Sequence, residues 1–338
     1  MMYYKMIFMM MIFMSTMISI SSNSWFMMWM GLEINLLSMI PIMKMNKNIL
    51  SSESSIKYFI TQSMASTIIM MSILMMTLKF NIMSSMFMKS NMLLAMNSSF
   101  LMKMGMAPFH FWFPEVLEGQ NWMNCLVLLT WQKLTPMILF MINNMKMIFI
   151  SMIIVSSMIT SGIMGINQAS LRKIMAYSSI NHMGWMMSTM ITSKTIWIMY
   201  FTVYSIISTS LIMIFMKNKS HFIKQMFNKM NNSQMSKIMF SMNFFSMMGL
   251  PPLTGFMPKW LSIQSLLLNN LYMLSILMTT FTMIMIYMYM RMTIQFLMLK
   301  MNTKNWKNKE NENKIFNLTM NLMSTFGLMA MTMIFNMT

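Results

Sequence analysis

The sequence predicts an all-α polytopic membrane protein of about eleven transmembrane helices, and three observations carry that prediction. Apolar residues make up 57% of the 338 residues and charged residues only 9%, a membrane composition rather than a soluble one. Apolar runs of about 20 residues, long enough to cross roughly 30 Å of hydrocarbon at 1.5 Å per residue, follow one another along the chain. A helix-breaking pattern is also written twice: Met104, Gly105, Pro108 and Pro114 recur as Met248, Gly249, Pro252 and Pro258, each shifted by 144 residues. The mean hydropathy of +0.58 is modest, because the 66 Met residues score below Ile or Leu while filling similar volume.

The first run, 6–22, follows a lone Lys5 and has the outline of a signal peptide. No small-residue cleavage site follows and the next run opens at Trp25, so 6–22 is read as the first span. An Arg/Ser-rich transit peptide is also missing, so the chain is expected to be bacterial or made inside the compartment that uses it. Spans follow at 25–43, 57–78 and 83–104, the last continuing brokenly through 105–118. The next are 122–142, 147–168, 172–190 and 195–216. Then comes 237–268, long because Gly249, Pro251 and Pro252 interrupt it, and finally 271–293 and 315–336.

With eleven spans, the N-terminal side carries Lys5, Lys44, Lys47, Lys57, Arg172, Lys173, the five Lys of 217–237, Arg291 and the five Lys that follow it. The opposite side has little beyond Lys79, Lys89, Lys146 and Lys194. The positive-inside rule then places the N-terminus in the cytoplasm or, in a mitochondrion, the matrix.

A second echo accompanies the first. In YFITQSMAST (58–67) and YFTVYSIIST (200–209), Tyr58, Phe59, Ser63, Ser66 and Thr67 match Tyr200, Phe201, Ser205, Ser208 and Thr209 at an offset of 142. Two pairs in the same order predict a duplication of about five helices: 1–142, then 143–293, followed by a loop and last span over 294–338. An odd-numbered unit repeated in tandem re-enters the membrane from the other side, which gives inverted repeats. Each repeat carries a broken helix, at Gly105 and Pro108 and at Gly249, Pro251 and Pro252. Lipid tolerates such breaks only where the freed backbone groups line a polar interior.

Four ionisable residues fall within spans: Glu33, Lys103, Lys133 and Lys259. A charge at the centre of a span costs about 2.5–3.5 kcal/mol on insertion scales, so four of them ask for a compensating role. A buried Glu–Lys pair is a switchable element, since moving one proton changes what the neighbour prefers. His110 and His182 are candidate proton relays. The alternatives are snorkelling for Lys103 and Lys259, and a hydrogen-bonded structural histidine for the other two. A net charge of +18 is spread over loops and forms no basic domain, so nucleic acid is not expected as a partner. One cysteine, Cys125, excludes internal disulfides, Cys-based iron–sulfur clusters and Cys-rich zinc sites. No nucleotide loop, nucleophile triad or metal-ligand cluster is present, and what remains is ion movement.

The blocks MGLEINLLS (30–38), MKMGMAPFHFWFPEVLEG (102–119), LTWQKLTP (129–136), NQASLRKIMAYSSINHMGW (167–185) and GLPPLTGFMPKW (249–260) resemble the subunit 2 family of NADH dehydrogenase. These are antiporter-like membrane subunits of mitochondrial respiratory complex I, the NADH:ubiquinone oxidoreductase. The resemblance implies a proton-translocating module of the mitochondrial inner membrane without a redox centre of its own. FMN, iron–sulfur clusters and ubiquinone would belong to partner subunits. Other membrane-arm subunits, neighbouring antiporter-like subunits among them, and membrane lipid would be its partners. It also implies roles: Glu33 modulating Lys103, Lys133 connecting along a central hydrophilic axis, and Lys259 as the distal proton donor or acceptor. A stand-alone cation/proton antiporter and a non-transporting scaffold are the competing readings.

Overall fold

The computed structural model describes residues 2–44, 48–79, 86–143, 146–230, 234–251 and 253–298. Pro252 and the expected helix at 315–336 lie outside the described residues. Among those described, all regular elements are helices: α1 (Met2–Ser21), α2 (Trp25–Met43), α3 (Ile49–Lys79), α4 (Met86–Met104), α5 (Trp112–Gly119), α6 (Trp122–Leu129), α7 (Trp131–Ile142), α8 (Met147–Gly165), α9 (Leu171–Thr192), α10 (Lys194–Lys217), α11 (Ile223–Met230), α12 (Gln234–Met248), α13 (Phe256–Leu268) and α14 (Tyr272–Met298). The chain forms two compact units that divide between Ile153 and Ile154, inside α8.

Among the described residues seven stretches are long and apolar enough to cross a membrane: Tyr3–Ser21, Trp25–Met43, Ile49–Thr77, Trp122–Ile142, Met147–Gly165, Lys194–Lys217 and Tyr272–Met298. Their outward faces are apolar: Met10, Met14, Met17, Ile148, Met152, Met273 and Met283 are all exposed, which suits a hydrocarbon solvent and no other. The helices that miss that hydropathy threshold are the polar or interrupted ones. In α9 every residue from Ile174 to Met190 is buried, including Ser178, Asn181, His182 and Ser188. A polar helix is stable in a membrane when its neighbours, not lipid, surround it. Serines and threonines elsewhere hide their hydroxyls by bonding the carbonyl three residues back, as Ser15, Ser66, Ser157 and Ser188 do, so a Ser-rich chain still presents an apolar surface.

In the first unit α2 lies against α1 and α3, α3 against α4 and α5, and α7 against α1, α4 and α6. Two departures from the expected spans arise here. The third helix begins at Ile49, not near 57, because its Ser-rich first turns are held by tertiary contacts: Gln120 donates to the Ser54 hydroxyl at 2.6 Å and to the Ser51 carbonyl at 3.4 Å. Asn124 donates in turn to Gln120 Oε1 (2.8 Å) and to the Ile42 carbonyl (3.2 Å). One buried amide network therefore ties α2, α3 and the α5–α6 junction. Gln120→Ala should lower thermal stability by about 1–2 kcal/mol, since Ser54 and Asn124 lose buried partners; a thermal melt of the purified protein checks this. The span at 122–142 is kept but locally distorted at Thr130 (φ −112°, ψ −71°), which separates α6 from α7.

In the second unit α9 packs on α10, α13 and α14, while α12 packs on α10 and α14. A short helix, α11, stands where a loop was expected. It is amphipathic, with Met226 and Met230 buried and Lys224, Gln225 and Lys229 exposed, and Phe227 stacks on Phe296 of α14 with ring centroids 4.0 Å apart. The last described helix runs on to Met298, past the expected end at 293.

Candidate functional site

Both expected breaks are present, and they are built alike. α4 ends at Gly105 with φ +70°, and α12 ends at Gly249 with φ +78°. At the first break Gly105 N–H bonds the Met102 carbonyl and Met106 N–H reaches back five residues to Leu101; at the second, Gly249 bonds Ser246 and Leu250 reaches back to Phe245. Each is a Schellman end, in which a left-handed residue turns the chain so that two terminal N–H groups satisfy carbonyls of the last turn. A β-carbon at Gly105 would lie 2.9 Å from Phe113 Cβ, and one at Gly249 would lie 2.9 Å from Lys259 Cδ. Glycine is required at both for conformation and for space. The chain re-enters helix at Trp112 and at Phe256.

The remaining carbonyls at the two ends find partners of different kinds. In the first unit neutral donors serve: Trp112 Nε1 bonds the Met102 carbonyl at 3.1 Å, and Gln62 Nε2 bonds the Lys103 carbonyl at 3.2 Å. In the second unit the ammonium of Lys259 itself donates to the Met248 carbonyl at 2.6 Å. Lys103 stands in the last turn of α4, so both lysines sit at the C-terminal ends of helices that stop inside the protein. There the helix dipole offers partial negative charge, and broken helices present such ends to cations.

Lys103 (8% exposed) and Lys133 (2%) share one cavity of about 20 Å³, lined also by Asn35, Tyr58, Gln62 and Gln132. That is room for roughly one water molecule. The Lys133 ammonium lies 4.9 Å from the centroid of the Phe113 ring, a cation–π contact that partly replaces lost hydration. Gln132 donates to Asn35 at 2.9 Å. Pro136, which also lines the cavity, has no N–H and leaves one turn of α7 without its backbone bond. Glu33 is half-buried in α2. Its carboxylate is near enough for its charge to be felt at Lys103; Glu53 and Glu115 lie 2.9 and 2.8 Å from Lys57.

Lys259 and His182 share the cavity of the second unit, about 10 Å³, with Ser178, Asn181, Thr282 and Tyr289. His182 Nδ1 is 3.0 Å from the Tyr200 hydroxyl, and its ring centroid lies 5.2 Å from that of Tyr204. His110 is buried as well (3% exposed), but it stacks on Phe111 at 4.3 Å and lines neither cavity. Among the described residues no group of three His, Cys, Asp or Glu could hold a metal ion.

Sequence reasoning missed Asn35, Tyr58, Gln62, Gln132, Tyr200 and Tyr204, although a signal was there. Tyr58 and Tyr200 are matched in the repeated stretch, and at the same offset Gln62 corresponds to Tyr204. In each unit that pair flanks the ionisable cavity. The lysines do not correspond: the residue 144 before Lys259 is Glu115, which faces outward to Lys57.

Comparison with known proteins agrees with this construction. Residues 22–285 match the family described as NADH:quinone oxidoreductase/Mrp antiporter, transmembrane. NADH-ubiquinone oxidoreductase chain 2 of Anopheles gambiae is 43% identical over 334 residues, 97% of each chain, and that of Aedes aegypti is 46% identical over 334 residues, again 97% of each. A chain in the structure of respiratory complex I from Thermus thermophilus with bound aureothin superposes with a TM-score of 0.85 at 16% identity, covering 97% of this chain and 77% of that one. Two units with broken helices and buried or half-buried lysines, a family match over 22–285 and near-full-length relatives above 40% identity together make this chain a member of the NADH:quinone oxidoreductase/Mrp antiporter transmembrane family.

Proposed function

We propose that the chain is a core membrane subunit of a proton-pumping NADH:ubiquinone oxidoreductase of the mitochondrial inner membrane. It contributes to the enzyme as a subunit and moves protons while quinone is reduced elsewhere in the complex. Other membrane-arm subunits are its partners, and its N-terminus faces the matrix. The observation that carries this reading is the pairing, in each unit, of a helix that stops at a left-handed glycine with a lysine lining a water-sized polar cavity, Lys103 buried in the first unit and Lys259 half-buried in the second. A soluble scaffold would have no reason to bury ammonium groups, and a passive membrane scaffold would have no reason to place them at helix C-termini beside cavities.

In this reading the cavity of Lys103 and Lys133 takes up a proton under the influence of Glu33, and the cavity of Lys259 and His182 releases one. In this reading flavin, iron–sulfur clusters and quinone belong to partner subunits. Moving each proton against the membrane potential costs about 2.3 kcal/mol per 100 mV, so charges must shift in concert. Glu33→Gln tests the coupling. It removes the counter-charge from Lys103 while keeping shape, and a nearby carboxylate at an effective dielectric near 20 is worth on the order of 1–2 kcal/mol. NADH-driven proton uptake by vesicles carrying the assembled complex should fall roughly tenfold. Unchanged pumping by a fully assembled variant would remove Glu33 from the mechanism.

A further inference from the structure

The second unit carries a basic structure that the proton path does not use. Where α10 ends, Lys219 adopts φ 44° and the chain turns into α11. The turn is clasped to the segment before α9: Leu171 N–H bonds the His221 carbonyl at 2.9 Å, and Ile223 N–H bonds the Ala169 carbonyl at 3.2 Å, around an antiparallel bridge of Ser170 with Phe222. Lys229 of α11 donates back to the carbonyls of Asn218 and Lys219, capping α10 with a cation where its dipole is negative. Gln225 Oε1 accepts from His221 N–H at 2.9 Å. The clasp is therefore a fixed platform.

Four lysines belong to it: Lys217, Lys219, Lys224 and Lys229. Lys219, Lys224 and Lys229 are exposed. The Lys217 ammonium nitrogen is covered from solvent and has no hydrogen-bond partner among the described residues. No Asp or Glu occurs in the sequence between Glu118 and Glu310, so no described helix of the second unit carries a carboxylate to this end of α10. His221, at the centre of the clasp, reports the same field: burial, and then the charges of Arg172 and Lys229, hold its imidazole below the usual histidine range.

We propose that this clasp is a binding site for the phosphate headgroup of an anionic phospholipid, with the exposed Lys219 and Lys224 supplying the counter-charge. Its place selects a lipid over a soluble anion. The platform closes the end of α10, a 24-residue span, so it lies at the membrane–water boundary. α11 lies across that end with Met226 and Met230 turned inward, as interfacial amphipathic helices do. Phe222, 50% exposed beside the lysines, is an aromatic side chain at the depth where such rings prefer to sit. Each basic side chain at this boundary adds attraction for an anionic lipid.

The test uses the intact membrane complex and a phosphatidylglycerol carrying a photoactivatable headgroup, with the labelled peptides identified by mass spectrometry. Label is expected on the 217–230 segment. Unlabelled phosphatidylglycerol should compete it away, while equal concentrations of phosphatidylcholine or inorganic phosphate should not. The double variant Lys219→Gln, Lys224→Gln, both surface positions that should not disturb folding, should reduce labelling at least about fivefold, and Lys219→Arg, Lys224→Arg should restore it. NADH-driven pumping is read in parallel, and the proposal does not depend on its value. Labelling that survives the double Gln variant overturns the proposal, as does competition by inorganic phosphate as strong as by phosphatidylglycerol. Exclusion of the probe by cross-links from Lys224 to a neighbouring subunit would also overturn it, by assigning the clasp to a protein partner.

Discussion

Lys133→Met is expected to leave the complex assembled and at least as stable as the native one, and to lower proton pumping by at least about tenfold. The two halves of this expectation come from the same physics. An ammonium buried to 2% exposure costs about 2.5–3.5 kcal/mol on insertion scales, and a methionine of similar length fills its place without that cost. The Phe113 face, 4.9 Å from the lysine nitrogen, accepts a thioether readily. The transfer of charge within the cavity shared with Lys103 loses one of its two cations, and no neutral side chain can carry a proton in its stead. Vesicles containing the variant complex, assayed for NADH oxidation and proton uptake together with a thermal melt, give both readings. Normal pumping with unchanged assembly would make Lys133 a structural cation and strike it from the path. Lys133→Arg, which keeps the charge over Phe113, should assemble and retain stability.

Gly249→Ala is expected to damage stability and transport together. A left-handed φ of +78° costs a residue with a β-carbon about 1–2 kcal/mol. The new methyl would also lie 2.9 Å from Lys259 Cδ and 3.0 Å from the Gly255 carbonyl, so the lysine stem must move. Moving it pulls the ammonium from the Met248 carbonyl, now 2.6 Å away, and leaves a half-buried charge and a helix-end carbonyl unpaired at once. A loss of about 2–4 kcal/mol in a denaturation assay is expected, with proton uptake falling further than NADH oxidation. Native stability and pumping in the alanine variant would show that the left-handed break is not needed to hold Lys259.

The breaks were legible because their cause is local. Glycine and proline change what the backbone itself can do, and a repeat at a fixed offset needs no knowledge of neighbours. The buried charges were legible for a similar reason, since Glu33, Lys103, Lys133 and Lys259 stand out against apolar runs wherever those runs pack. The partners were not. Asn35, Gln62 and Gln132 look like any polar residue in a Ser-rich chain, and only the docking of α2, α3 and α7 brings them to one cavity. The SSESS stretch reads as loop by composition, yet Gln120 and Asn124, distant in sequence, make it helix. α11 escaped because eight residues are too few for a span and its apolar face shows only against α12 and α14.

The sequence by itself determined the class of the fold, the places where helices stop and the identity of the ionisable groups inside them. Each of these depends on properties a residue carries with it: side-chain hydropathy, the φ range of glycine, the missing N–H of proline, the cost of a buried charge. Tertiary structure alone decided which of these groups meet. It placed Lys103 with Lys133 and Lys259 with His182, and set the His110 ring against Phe111 outside both cavities. Proximity across helices depends on how faces pack, and residues 3.6 to a turn can show either side of a helix to a neighbour until that neighbour is in place.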